Sequence, residues 1–180
     1  MPSNQPIGIF DSGFGGLTVA RAIIDLLPSE DIVYFGDTSR YPYGPQPLEE
    51  VKSYSEQISD YLIAEHDVKM IVIACNTASA AAEGDLRNST EIPIVGVITP
   101  GAQAVVEVSS TKKIGVIGTV GTINSQAYEN AIKGISPENI ELVSVACPGF
   151  VEFVERGEFE GEQVRILADR LLAPVIQADV

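Results

Sequence analysis

Cys75 closes the apolar run over residues 70–74 and is followed at once by Asn76, Thr77 and a helical pattern. A thiol at the carboxyl end of a strand, just before a helix, has its anion favoured by the helix dipole, which predicts a pKa below the reference of about 8.5. Such a group suits a base or a nucleophile. Asn76 and Thr77 add hydrogen-bonding groups able to hold a carboxylate or an oxyanion. A second candidate is Asp11-Ser12, which opens the glycine-rich loop of residues 11–16 after the apolar run at 7–10. Its glycines let backbone amides approach an anion closely. The G-x-G-x-x-G spacing is absent from that loop, which argues against a nucleotide. Plainer readings stand beside both: free cysteine is among the most buried residue types, and Asp and Ser favour tight strand-to-helix turns.

Two further loops carry polar groups. Residues 40–45, Arg40-Tyr41-Pro42-Tyr43-Gly44-Pro45, are stiff and offer backbone amides and phenols, as a lid or specificity wall would, or as a rigid connector would. In residues 118–122 the hydroxyls of Thr119 and Thr122 could hold an anionic group at a helix entrance, or simply cap that helix. Cys147 precedes Pro148 with no activating neighbour and reads as core packing. His66, at an apparent helix end, is assigned no catalytic role.

The elements that must position these groups are short apolar runs alternating with longer amphipathic stretches. Residues 7–10, 32–35, 70–74, 92–98, 114–117 and 142–146 read as strands, and 17–27, 48–65, 78–87, 102–108, 124–132 and 162–176 as helices. The strands are continuously apolar, as burial on both faces of a parallel sheet demands, so the fold class is α/β. Asn76 or Thr77, Ser53 and Ser125 are plausible helix-entry residues. Ile7-Gly8-Ile9-Phe10 before its glycine-rich loop has the same shape as Ile114-Gly115-Val116-Ile117 before residues 118–122, an offset of 107 residues. The echo predicts two similar domains of mostly parallel sheet flanked by helices, over residues 1–98 and 99–180. In such sheets ligands bind beyond the carboxyl ends of the strands, where all four polar groups fall.

Composition narrows the function classes. With 180 residues, 45% of them hydrophobic and 20% charged, the chain can build a core without staples. Eleven basic against 25 acidic side chains give a net charge of −14, which repels polyphosphate and disfavours nucleic acid. Two distant cysteines and one histidine make neither a disulfide framework nor a metal cluster, so no metal is expected and a reducing compartment fits. The amino terminus lacks a signal-peptide pattern and no apolar run approaches the roughly 18 residues of a membrane span, so the expected location is the cytoplasm.

Taken in order, IGIFDSGFGGLTV, YFGDTSRYPYG, IACNTASA, GVIGTVGTINS and ACPGFVEFVE resemble the glutamate racemases of the aspartate/glutamate racemase superfamily. The resemblance runs from residue 7 to the end of the chain. It implies cofactor-independent interconversion of L- and D-glutamate, an isomerase activity that supplies D-glutamate for peptidoglycan. It also implies two α/β domains facing across a cleft, with one thiol from each acting on opposite faces of the substrate Cα. Carried over, Cys75 is the first catalytic thiol and Asp11 its polar helper. Ser12, Tyr43, Gly44, Asn76, Thr77, Thr119 and Thr122, with Asp11, become substrate contacts, and Asp37 and Glu155 assist proton transfer. The second thiol of the family lies in a Cys-Thr-His motif that these 180 residues lack, and Cys147 matches a noncatalytic position. The offset of 107 carries Cys75 to position 182, past Val180. The expectation is therefore a second domain incomplete at its carboxyl end and a chain inactive or impaired alone. The partners expected are glutamate and a second copy of the chain, with no cofactor. The alternatives are an aspartate racemase of the same superfamily and a noncatalytic small-anion-binding module.

Overall fold

A computed structural model describes residues 4–136 and 140–180 of the chain, which divides into two units, Met1–Val97 and Ile98–Val180. In the first, β1 (Ile7–Asp11), β2 (Ile32–Gly36), β3 (Met70–Ile73) and β4 (Ile94–Gly96) form one sheet in the order β2-β1-β3-β4. Every pairing is parallel, with Ile9 opposite Tyr34 on one side and Val72 on the other. Central β1 is buried throughout, whereas edge strand β2 is half-buried.

Successive strand residues point to opposite faces, and the two faces recruit different helices. Ile7, Ile9, Val72 and Ala74 pack on Val19, Ala20 and Ile23 of α1 (Leu17–Leu26). Phe10, Ile71 and Ile73 pack on Val51, Ile58 and Leu62 of α2 (Leu48–His66) and on Ala78, Ala82 and Leu86 of α3 (Asn76–Ser89). Each Val, Leu, Ile or Phe side chain among them contributes about 1.5–3 kcal/mol through burial. The link from β1 to β2 thus crosses one face, and the link from β2 to β3 crosses the other. The carboxyl ends of β1 and β3 therefore lie side by side at a topological switch point, with their following helices on opposite faces. That is where an open α/β sheet leaves a crevice.

The second unit contains α4 (Ile98–Val108), β5 (Lys113–Gly118), α5 (Val120–Asn124), α6 (Ala127–Ile135), β6 (Glu141–Ala146), α7 (Phe150–Glu155) and α8 (Glu162–Gln177). β5 and β6 pair in parallel from Lys113 opposite Glu141 to Gly118 opposite Ala146. Ala102, Ile114, Val116 and Ile132 form the core on one face.

Four expectations need correction. β5 is not buried on both faces: Ile114 and Val116 are inside, while Ile117 on the other face is 49% exposed. The helix expected over 124–132 is two helices, α5 and α6, divided at Ser125-Gln126, where Gln126 takes a left-handed φ of 56°. The strand expected over 92–98 is only Ile94–Gly96; it ends where the Ser79 hydroxyl of α3 takes the Val97 N–H. Finally, Ser53 lies inside α2, whose entry residue is Pro47, and it accepts from the Gln57 amide instead. Among the described residues no helix is long and apolar enough to cross a membrane.

Candidate active site

Three strand ends converge in the first unit. The Asp37 N–H donates to the Asp11 carbonyl at 2.9 Å, tying the end of β2 to β1, and the Ala74 N–H donates to the Phe10 carbonyl at 2.8 Å, tying β3 to β1. Asp11, Asp37 and Cys75 are thereby brought to one edge, each almost fully buried. The Asp11 carboxylate accepts from the Gly16 N–H at 2.9 Å and the Gly13 N–H at 3.3 Å, so the glycine-rich loop wraps its own acid. Gly16 leaves no room for a side chain without a shift: a Cβ there would lie 2.6 Å from Asp11 Cβ and 2.9 Å from Ala74 Cβ.

Cys75, rather than Asn76 or Thr77, is the entry residue of α3, its Sγ accepting from the Ala78 N–H at 3.4 Å. The thiol in turn donates to Ser12 Oγ at 3.6 Å. Burial pushes the Cys75 thiol up from its ordinary range, and the nearby Asp11 charge pushes it the same way. The Ala78 N–H and the Ser12 contacts oppose that rise without overcoming it. The lowered thiol expected from the helix dipole is thus corrected: the free chain carries a protonated Cys75 at neutral pH. Asn76 is exposed in the first turn of α3, and Thr77 is buried beside it.

The loop after β2 folds its polar groups inward. The Tyr43 phenol, which the sequence offers as part of a lid, a specificity wall or a rigid connector, is 1% exposed and donates to Asp37 Oδ2 at 2.5 Å. Burial and the Asp37 carboxylate raise its pKa far above the usual phenol value. Asp37 also accepts from the Ser39 hydroxyl at 3.0 Å and pairs with Arg40 Nε at 2.6 Å. Arg40 was read from the sequence only as part of a stiff loop. Its spacing of three residues from Asp37 was the signal for the pair. Gly44 is buried next to Tyr43.

In the second unit, Thr119 is the entry residue of α5 and its Oγ1 accepts from the Thr122 N–H at 3.2 Å while donating to Thr122 Oγ1 at 3.0 Å. Glu155 is exposed at the end of α7. Cys147 is buried, its Sγ donating to the Val145 carbonyl at 3.7 Å, and burial raises its thiol. Among the described residues no group of three or more His, Cys, Asp or Glu side chains could hold a metal ion.

A family model described as Asp/Glu/Hydantoin racemase matches residues 8–179. The chain belongs to this racemase family. Among its relatives, the glutamate racemase of Parafrankia sp. (strain EAN1pec) is 51% identical over 178 residues, covering 99% of this chain and 63% of the relative. Glutamate racemase isoform RacE1 from Bacillus anthracis superposes with a TM-score of 0.90 at 43% identity, over 95% of this chain and 64% of that one. The Francisella tularensis glutamate racemase solved with D-glutamate gives a TM-score of 0.87 at 42% identity, over 94% and 63%. The chain thus spans a little under two thirds of the length of the racemases it matches.

Proposed function

We propose that this racemase-family chain provides one proton-transfer face of a cofactor-independent glutamate racemase, with Cys75 as its acid/base. The observation that carries the reading is the setting of the thiol. Cys75 stands at the switch point of a parallel sheet, caps α3, and touches Ser12 beside the buried Asp11 carboxylate. An amino-acid α-proton is weakly acidic, so its removal needs a close, oriented base and dense hydrogen bonding to the substrate carboxylate. In the forward step Cys75 acts as a thiolate, its own proton having passed to solvent as substrate arrives: the Cα–H bond breaks, an S–H bond forms at Cys75, and the electron pair is delocalised into the carboxylate. In the reverse step the protonated thiol of the free chain is the donor. Asp11 helps by facing the substrate ammonium, a charge that offsets its own effect on the thiol. Ser12, the Tyr43 and Gly44 segment, Asn76 and Thr77 hold the substrate, and Asp37 supports proton transfer. Thr119, Thr122 and Glu155 have the corresponding tasks in the second unit. The proposal takes residues 1–98 and 99–180 as two domains and assigns the chain to the cytoplasm, where glutamate racemisation supplies peptidoglycan synthesis. It takes glutamate as the substrate and a second copy of the chain as the only macromolecular partner. Support for glutamate comes from the relatives' names and from the D-glutamate complex of the Francisella protein. Cys147 is not the opposing base: it lies just past β6, its thiol donates to the Val145 carbonyl of that strand, and no carboxylate accompanies it among the described contacts.

Solvent exchange tests this. L- and D-glutamate are incubated separately with the chain in D2O, and loss of the Cα proton is followed by NMR. One enantiomer is expected to exchange with retention, at a rate that falls about a hundredfold or more in Cys75→Ser, within the range typical of a positioned acid/base. Exchange that survives Cys75→Ser unchanged, or no exchange of either enantiomer, overturns the assignment.

A further inference from the structure

Arg40 joins the loop after β2 to α2 through several contacts. Its Nε pairs with Asp37 Oδ2 at 2.6 Å, and its Nη1 donates to Gln57 Oε1 of α2 at 3.1 Å. Its guanidinium lies 4.5 Å from the centre of the Tyr54 ring, also on α2, and its carbonyl accepts from the Gln46 side chain at 2.9 Å. The Tyr54 ring in turn packs 5.6 Å from that of Tyr43. Arg40 thus clamps both ends of the loop that carries Tyr43 and Gly44 against α2.

The other side of Arg40 leads to the thiol. Asp37, 3% exposed, accepts the Tyr43 hydroxyl at 2.5 Å, and Tyr43 and Cys75 belong to one buried cluster. Arg40 Nε and the Tyr43 hydroxyl meet at the same oxygen, Asp37 Oδ2. Without Arg40 that oxygen loses the contact that fixes its direction, the carboxylate turns, and the phenol loses its short hydrogen bond.

We propose that Arg40 is a positioning residue of the site: it holds Asp37 as the acceptor of the Tyr43 hydroxyl and so fixes the Tyr43-Gly44 segment for substrate binding. The binding part rests on the glutamate reading above, whereas the Arg40–Asp37–Tyr43 linkage does not.

The test uses the whole chain and two readouts. A hydroxyl proton held between oxygens 2.5 Å apart resonates far downfield, and its absence in Tyr43→Phe assigns it. Arg40→Met keeps the apolar stem over Tyr54 and removes the charge. It is expected to lose that signal, and Arg40→Lys to restore it at a shifted position. Glutamate affinity, measured by titration calorimetry, is expected to fall about tenfold in Arg40→Met, the scale of one charge-assisted hydrogen bond. An unchanged downfield signal in Arg40→Met overturns the proposal whatever glutamate does. A lost signal with unchanged affinity overturns the positioning role. A lost signal with no glutamate binding even by the parent chain upholds the linkage and sinks the glutamate reading instead. Should Arg40→Met fail to fold, Arg40→Lys decides, since an ammonium in place of Nε–H must move the signal, and an unmoved one refutes the linkage.

Discussion

Gly16→Ala isolates the packing that holds Asp11 beside Cys75. Gly16 has φ −63° and ψ −14°, which alanine adopts freely, so backbone strain plays no part. The added methyl would stand 2.6 Å from Asp11 Cβ, 2.9 Å from Ala74 Cβ and 2.9 Å from the Tyr34 hydroxyl, where carbon pairs prefer about 3.5–4.0 Å. Asp11 and Ala74 cannot yield by changing rotamer, because a Cβ moves only with its backbone, and both backbones are tied into the sheet. Overpacking of this kind costs about 3 kcal/mol, and the lower entropy of the unfolded alanine chain returns a little under 1, leaving about 2 kcal/mol. With a urea slope of about 1.5 kcal/mol/M for a unit of this size, the midpoint falls by about 1.3 M. The two cysteines give a unit-specific assay: both are buried, Cys75 in the first unit and Cys147 in the second. Brief alkylation across a urea series, read by mass spectrometry, reports each unit separately, so no two-state assumption is needed for the whole chain. The Cys75 midpoint should fall while that of Cys147 holds. Gly84→Ala is the control: nothing lies within 4 Å of its Cβ, and in the middle of α3 alanine should stabilise by about 0.5–1 kcal/mol. A Gly16→Ala midpoint within about 0.3 M of the parent, or a Gly84→Ala midpoint as low as that of Gly16→Ala, refutes the reasoning.

Among the described residues Ser59 Oγ in α2 is buried without a hydrogen-bond partner, whereas Ser55 Oγ donates to the Val51 carbonyl at 2.7 Å. The same urea assay should find Ser59→Ala neutral or up to about 1 kcal/mol more stable, and Ser55→Ala about 1 kcal/mol less stable. Alkaline stability follows from the raised Cys75 and Cys147 thiols. Unfolded thiols ionise near pH 8.5, so above that pH the unfolded state releases protons that the folded state keeps, and stability falls as pH rises. Each buried thiol removes about 1.4 kcal/mol per pH unit until its folded value is reached. Urea midpoints for Cys147→Ser and for Cys75→Ser between pH 7 and pH 10, followed by circular dichroism, should each show a shallower decline than the parent.

The strands of the first unit were legible because buried parallel strands are continuously apolar, and β1 and β3 are just that. β5 carries the same pattern but covers only one face, since burial depends on what lies against a strand and not on its own residues. α7 was missed because six residues hold too little periodicity to register, and the break at Gln126 because no glycine or proline marks it. At the site, Asp11, Ser12 and Cys75 were readable as strand-end polar residues, which the order β2-β1-β3 then brings together. The inward turn of Tyr43 was not readable. Arg40 escaped notice because three of its partners, Gln46, Gln57 and Tyr54, lie beyond its own loop or on α2, and nothing in the linear spacing joins them.

The Cys75 thiol shows most clearly where local reasoning stops. A helix terminus stabilises an adjacent anion by about 0.3–1 kcal/mol, up to about 2 in sheltered geometries. Removing a charge from water costs several kcal/mol, so a sulfur as buried as this one stays protonated despite its place at the tip of α3. The dipole contribution had the right sign, and the larger, opposing contribution is a tertiary property. A protonated resting thiol also constrains the chemistry. To act as a base, Cys75 must ionise when substrate arrives, and the one charge an amino acid brings that can favour this is its ammonium, placed against Asp11. Under the function proposed above, the same carboxylate that holds the thiol up in the free chain becomes the counter-ion of the substrate, so that binding and activation of the base are one event.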